Sequence, residues 1–152
     1  MKYYAVIDTN VVVSAMLKWN SAPGSVVELA VTGTIVPLLN SEIVAEYRAV
    51  LSRPKFGLTA DIVEDFIGAL EKNGIYAEPN ATNVDMPDPK DRVFYEVVMG
   101  ECQREDAYLV TGNIKHFPEK PFVVTPRQML NIIISDLGMG SRMQETAIDF
   151  EV

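Results

Sequence analysis

The chain has 152 residues, the usual size of one domain, and 48% of them are hydrophobic, which supplies one core and excludes disorder as the default. Its single cysteine, Cys102, excludes an intrachain disulfide and a paired-cysteine zinc site. Thirteen basic against 21 acidic residues give a net charge of −8, without the basic excess on which non-specific nucleic-acid binding usually rests.

Tyr3–Ile7 is an apolar run with β-branched residues and reads as a buried strand ending at Asp8. Asn10 is a candidate N-cap for a helix through Leu17, which Ala22-Pro23-Gly24 breaks. Ser25–Val31 follows as a second helix, closed by Gly33. Ile35–Leu39 is a second strand, and Asn40 or Ser41 caps a helix to about Leu51 that Arg53-Pro54 stops. Thr59–Lys72 is a further helix, closed by Asn73-Gly74, and Ile75–Glu78 a short third strand. The polar stretch 79–88 is a loop, and Pro89 suits the first turn of a helix running to about Gln103. Tyr108–Thr111 and Phe122–Thr125 are the fourth and fifth strands, and Pro126–Leu137 is the last helix. Strands alternating with helices imply an α/β fold with a mostly parallel, about five-stranded sheet covered on both faces. Residues 1–137 form one domain, and 138–152, with two glycines and a polar stretch, read as a C-terminal tail or partner-binding arm. No apolar run approaches the ~20 residues that span a bilayer, and no apolar h-region precedes Asp8. A cytoplasmic protein with no membrane partner is therefore expected.

In open α/β sheets, function gathers at the carboxyl ends of the strands. Asp8 ends the first strand, Asn113 lies two residues past the fourth, and Asp88 and Asp91 sit where the preceding loop should return to that edge. Ile43, Val44, Tyr47, Val50 and Leu51 form the apolar stripe of their helix, and Glu46 lies on its border, roughly 100° from the centre. A border carboxylate can reach into a cleft beside the core, or it can be an ordinary boundary acid. Asp88 and Asp91 can likewise be acids favoured by a helix dipole. Glu101 falls within the apolar stripe of the same helix if that helix is regular. Acids drawn together repel and raise one another's pKa, and a divalent cation removes that penalty. Hard oxygen donors without a histidine or cysteine cluster select Mg²⁺ or Mn²⁺ over Zn²⁺. Thr9, Asn10, Ser14 and Thr111 could orient the carboxylates or serve as caps and turn residues. Lys18, Trp19, Arg53, Lys55 and Lys115 could serve stacking and phosphate contacts or lie on a solvated surface, and His116 could make such a contact or a structural hydrogen bond.

Four segments, VIDTNVVVSAML, SEIVAEYRAVLSRPKF, DPKDRVFYEVV and DAYLVTGNIKHFP, together resemble the PIN-domain family over roughly residues 3–135. The group they most resemble is the toxin components of bacterial toxin–antitoxin systems. The resemblance implies a three-layer α/β/α fold, a Mg²⁺- or Mn²⁺-dependent endoribonuclease, and often a homodimer with an antitoxin protein. It places the acids at Asp8, Glu46 and Asp91. At the usual fourth acid this chain carries Asn113, whose amide can ligate or orient water but brings no charge; Asp88 is the candidate to compensate. Two other functions stay open. Asp8 after a first parallel strand also suits an aspartate-nucleophile phosphatase, although Asn10 stands where such enzymes commonly carry an acid. Asn113 also suits a catalytically weakened PIN domain acting as a binding module.

Overall fold

Five short segments pair into one sheet, and the burial of four of them explains why they read as apolar runs, while the two-residue edge strand Ile75–Tyr76 is exposed. The computed structural model describes residues 3–77, 86–102 and 106–137. In chain order the strands are β1 (Tyr3–Ile7), β2 (Ile35–Leu39), β3 (Ile75–Tyr76), β4 (Ala107–Val110) and β5 (Val123–Val124). The helices are α1 (Thr9–Leu17), α2 (Ala22–Thr32), α3 (Ser41–Leu51), α4 (Ala60–Asn73), α5 (Arg92–Cys102) and α6 (Pro126–Leu137). The sheet order is β3-β2-β1-β4-β5, and every pairing is parallel. Every residue of β2 is buried, as are all of β1 except the half-buried Tyr4, so both faces of the central strands are covered. α5 packs against β1, β2 and β4, while α2 packs against β2, α1, α4 and α6. The result is a three-layer α/β fold, as the alternation of strands and helices implies.

Several local boundaries differ from the sequence reading, each for a capping reason. Pro23 does not break a helix but opens one: Ser21 caps α2, its hydroxyl accepting from the Gly24 N–H, and Pro23 sits in the first turn, where a missing N–H costs nothing. Asp8, not Asn10, holds the N-cap position of α1. Pro89 belongs to a 3-10 turn, Pro89–Asp91, that precedes α5, so Asp91 lies just before that helix rather than within it. Other expected caps stand: Asn40 accepts from Ile43 N–H and Thr59 from Ile62 N–H, and Gly33 takes the left-handed φ of 100° that ends α2. Gly74 has a different role, because a Cβ there would lie 2.7 Å from the Pro37 carbonyl oxygen and 2.8 Å from that of Leu70. Only a glycine lets α4 turn this closely into β3 beside β2. Glu101 is buried, 3% exposed, as the apolar stripe of a regular α5 requires. The expected third strand is short, and Glu78, the rest of the loop before Met86 and the 138–152 tail lie outside the described residues.

Candidate active site

Asp8 stands where β1 ends, with an extended backbone and its N–H donated to the Val110 carbonyl of β4. Its side chain does not cap α1, which leaves it free to point along the sheet edge. There the Thr111 hydroxyl donates to Asp8 Oδ2 at 2.7 Å and accepts from the Asn113 N–H at 3.0 Å. One hydroxyl thus fixes the carboxylate of β1 and the turn after β4 together. On the other flank, the Thr9 hydroxyl donates to Glu46 Oε2 at 3.0 Å. The helix carrying Glu46 is pinned one residue later: the fully buried Tyr47 hydroxyl donates to the Ile7 carbonyl at the end of β1. Asn10 Oδ1 accepts from the Gly112 N–H at 3.1 Å, tying α1 to the same turn. A Cβ on Gly112 would lie 3.4 Å from that oxygen, a tight fit.

The third acid arrives from the 3-10 turn before α5. Asp88 Oδ1 accepts from the Lys90 N–H at 3.0 Å, and the Asp91 N–H bonds to the Asp88 carbonyl at 3.0 Å. Asp88 therefore shapes the turn that presents Asp91. His116 Nδ1 lies 3.6 Å from Asp91 Oδ2. Asp8, Thr9, Asn10, Ser14, Glu46, Asp88, Asp91 and Asn113 all line a single cleft of about 460 Å³ at the carboxyl edge. Thr111 lies behind Asp8, fully buried.

Proximity of like charges shows in the acidities. Burial pushes the Asp8 carboxyl up from its ordinary range, and Glu46 adds to this, against the stabilising Thr111 and Thr9 hydrogen bonds. Burial, with Asp8, Asp88 and Glu46, pushes Asp91 up to about 6, while His116 acts in the opposite direction. Tyr47 is also raised, by burial first and then by Asp8 and Glu46. Among the described residues, no three His, Cys, Asp or Glu side chains form a cluster compact enough to hold an ion by themselves. The acids share a cleft and feel one another across it without closing into a cage.

A PIN-domain family model matches residues 4–115, which runs from the second residue of β1 past β4 and takes in Asp8, Glu46, Asp88 and Asp91. The chain belongs to the PIN-domain family. No match was found among curated proteins or among solved structures. PIN domains are in general nucleases that act on RNA and use divalent metal ions, so nuclease chemistry is the activity this family brings. No helix among the described residues is long and apolar enough to cross a membrane.

The residues named from sequence as RNA contacts divide. Arg53 and His116 line the PIN-domain cleft. Trp19 does not; its indole N–H donates to Glu28 Oε1 at 2.9 Å on the outer surface. Lys115 lines a separate cavity with Phe117 and Val123, and Lys18 lines neither. Among the cleft residues that escaped the sequence reading are Phe56 and Lys90. Both sit in 3-10 turns, which have no periodicity to mark a face. The RPKF end of the Glu46 segment and the DPKD segment held the only signals.

Proposed function

We propose that this PIN domain is a Mg²⁺- or Mn²⁺-dependent endoribonuclease that hydrolyses RNA phosphodiester bonds, and that it serves as the toxin of a toxin–antitoxin pair. One observation carries the nuclease reading: Asp8, Glu46 and Asp91, from three distant segments, line a single cleft where burial and mutual repulsion raise two of them. A cluster that disfavours its own ionisation gains from a cation.

The donor set fits that ion. Three carboxylates, the Asn113 amide and nearby hydroxyls are hard oxygen donors, and no cysteine is among the described residues that line the cleft. Mg²⁺ usually keeps several waters and binds through one or two carboxylates, so an open arrangement suits it better than a closed cage. Asp8, Glu46 and Asp91 would hold the ion, with Asn113 assisting and Asp88 within the same cleft. When bound, the ion supplies positive charge for the phosphodiester and lowers the pKa of water for in-line attack. The chain's own groups do the positioning. Thr111 orients Asp8, Thr9 orients Glu46, and Asp88 shapes the turn that carries Asp91.

The phosphatase alternative has less support, because the Asn10 amide oxygen is committed to the Gly112 N–H and carries no acid. The toxin assignment rests on the four-segment resemblance. So does a two-fold homodimer, which would join two clefts and pool the few cations of an acidic chain. Cleavage of a mixed RNA pool with Mn²⁺, abolished by chelator and by Asp8→Asn, is the expected result. An aspartyl-phosphate trapped at Asp8 would overturn the nuclease reading in favour of the phosphatase. Growth arrest on expression, relieved by a co-expressed antitoxin, tests the toxin role, and light scattering that finds only monomer at high micromolar concentration overturns the dimer.

A further inference from the structure

Tyr47 meets all three stretches that carry the acids. It lies in the hydrophobic core, fully buried, where its hydroxyl is the one atom that a phenylalanine would lack. In α3 it directly follows Glu46. Its ring centroid lies 6.4 Å from that of Phe94, which belongs to the first turn of α5, just after Asp91. Its hydroxyl donates to the carbonyl of Ile7, the residue before Asp8. The sheet explains why that carbonyl needs a side chain. The β1–β2 register ends at Ala5 opposite Pro37, short of Ile7, and a buried carbonyl beyond the ladder must find its donor elsewhere.

A second bond holds the same two elements from the other side of Asp8. Thr9, the residue after Asp8, donates to Glu46 Oε2 at 3.0 Å. Ile7 and Thr9 thus both hold α3, at Tyr47 and Glu46, and Asp8 stands between them. A slide or roll of α3 along β1 would break one bond or the other. The spacing of the Asp8 and Glu46 carboxylates is therefore set by this pair of bonds and not by the carboxylates, which as like charges would move apart. Spacing decides which ion an oxygen site holds well. Mg²⁺ demands near-octahedral geometry with oxygens at about 2.0–2.1 Å, whereas Ca²⁺ accepts more oxygens, at about 2.3–2.6 Å, in flexible arrangements.

We propose that Tyr47 is a positioning residue of the metal site: its hydroxyl, with that of Thr9 opposite, clamps α3 to the end of β1 and keeps Asp8 and Glu46 at the spacing a small ion such as Mg²⁺ requires. The hydroxyl is thereby a determinant of ion choice. This proposal rests on the metal-dependent reading above and adds the residue that tunes it.

The test is calorimetric titration of Mg²⁺ and of Ca²⁺ into the metal-free full chain, read as the ratio of the two dissociation constants. Tyr47→Phe should raise Kd for Mg²⁺ roughly 10–100-fold, the usual loss on removing an orienting partner, and Kd for Ca²⁺ by no more than about threefold. Tyr3→Phe is the control, since it loses a phenol hydrogen bond at the far end of the sheet. Both variants should melt lower than wild type, and only Tyr47→Phe should move the ratio. Thr9→Val cuts the opposing bond and leaves the core ring in place. It should shift the ratio the same way, and it carries the test if Tyr47→Phe does not fold. An unchanged ratio in the folded clamp variants, whether both affinities fall together or neither does, overturns this proposal alone, as does an equal shift in Tyr3→Phe. A wild type that binds neither ion overturns the metal-dependent reading with it.

Discussion

The two ends of the parallel sheet treat acids in opposite ways. At the amino edge, where β1 begins, the Tyr3 hydroxyl donates to Asp136 Oδ2 of α6 at 2.8 Å. An acid there meets a neutral donor, and the strain falls on the phenol, whose pKa burial and Asp136 push up to about 12, far from any working pH. At the carboxyl edge, Asp8 meets Glu46 and Asp91, and burial leaves the carboxyls themselves displaced. The first arrangement is complete as it stands. The second is stable only in part and becomes favourable when positive charge arrives. A fold that can satisfy an acid with a tyrosine at one end, but gathers acids at the other, bears that cost for chemistry.

The sharpest way to break this contrast is Asp8→Asn. It should lower metal-dependent cleavage by more than the roughly 10–100-fold expected on losing an orienting partner, while the metal-free protein melts no lower than wild type and its Mn²⁺ affinity collapses. Activity retained would remove Asp8 from the site. Thr111→Val should fall within that 10–100-fold range, since it frees Asp8 to rotate but leaves its charge. Asn113→Asp should tighten Mn²⁺ by up to about tenfold, because a carboxylate replaces a neutral amide; unchanged affinity in a calorimetric titration would make Asn113 only a turn residue.

Smaller effects separate the edges by pH. In chelator, Asp91 has its pKa pushed up from 3.8 to about 6, so the folded state favours the proton. Its contribution to stability is full below 3.8 and is lost as pH rises through 6. Relative to Asp91→Asn, wild type should therefore lose melting temperature across that interval; parallel melting curves for the two proteins would refute the coupling. At the amino edge, Tyr3→Phe removes one hydrogen bond and should cost only ~0.5–1.5 kcal/mol in a denaturant titration. Cleavage should be unchanged, and any loss of activity would mean that the two ends are not independent.

Most of this architecture was legible because burial writes itself into composition. β2 is apolar throughout since both its faces are covered, and the stripe of α3 located its buried side and put Glu46 on the border beside the cleft. Local chemistry was less legible. Pro23 has the same letter whether it breaks a helix or opens one, and only the Ser21 cap decides. The choice between orienting and capping roles for Thr9 and Thr111 also lay beyond the sequence, because their partners are 37 and 103 positions away. Phe56 was hidden for a third reason: in a three-residue turn no period tells a cleft-facing aromatic from a core one.

The bond from Thr111 to Asp8 also has a consequence for order in time. Asp8, Glu46 and Asp91 are all synthesised before β4 exists, and β1 must wait for β4 to receive its outer neighbour, across a separation of about a hundred residues. Such long closures are late and slow steps in folding. A growing chain therefore carries all three acids without the strand that aligns the first of them, so the carboxyl edge is assembled only once β4 has been made. Its assembly is in this sense a timer set by topology.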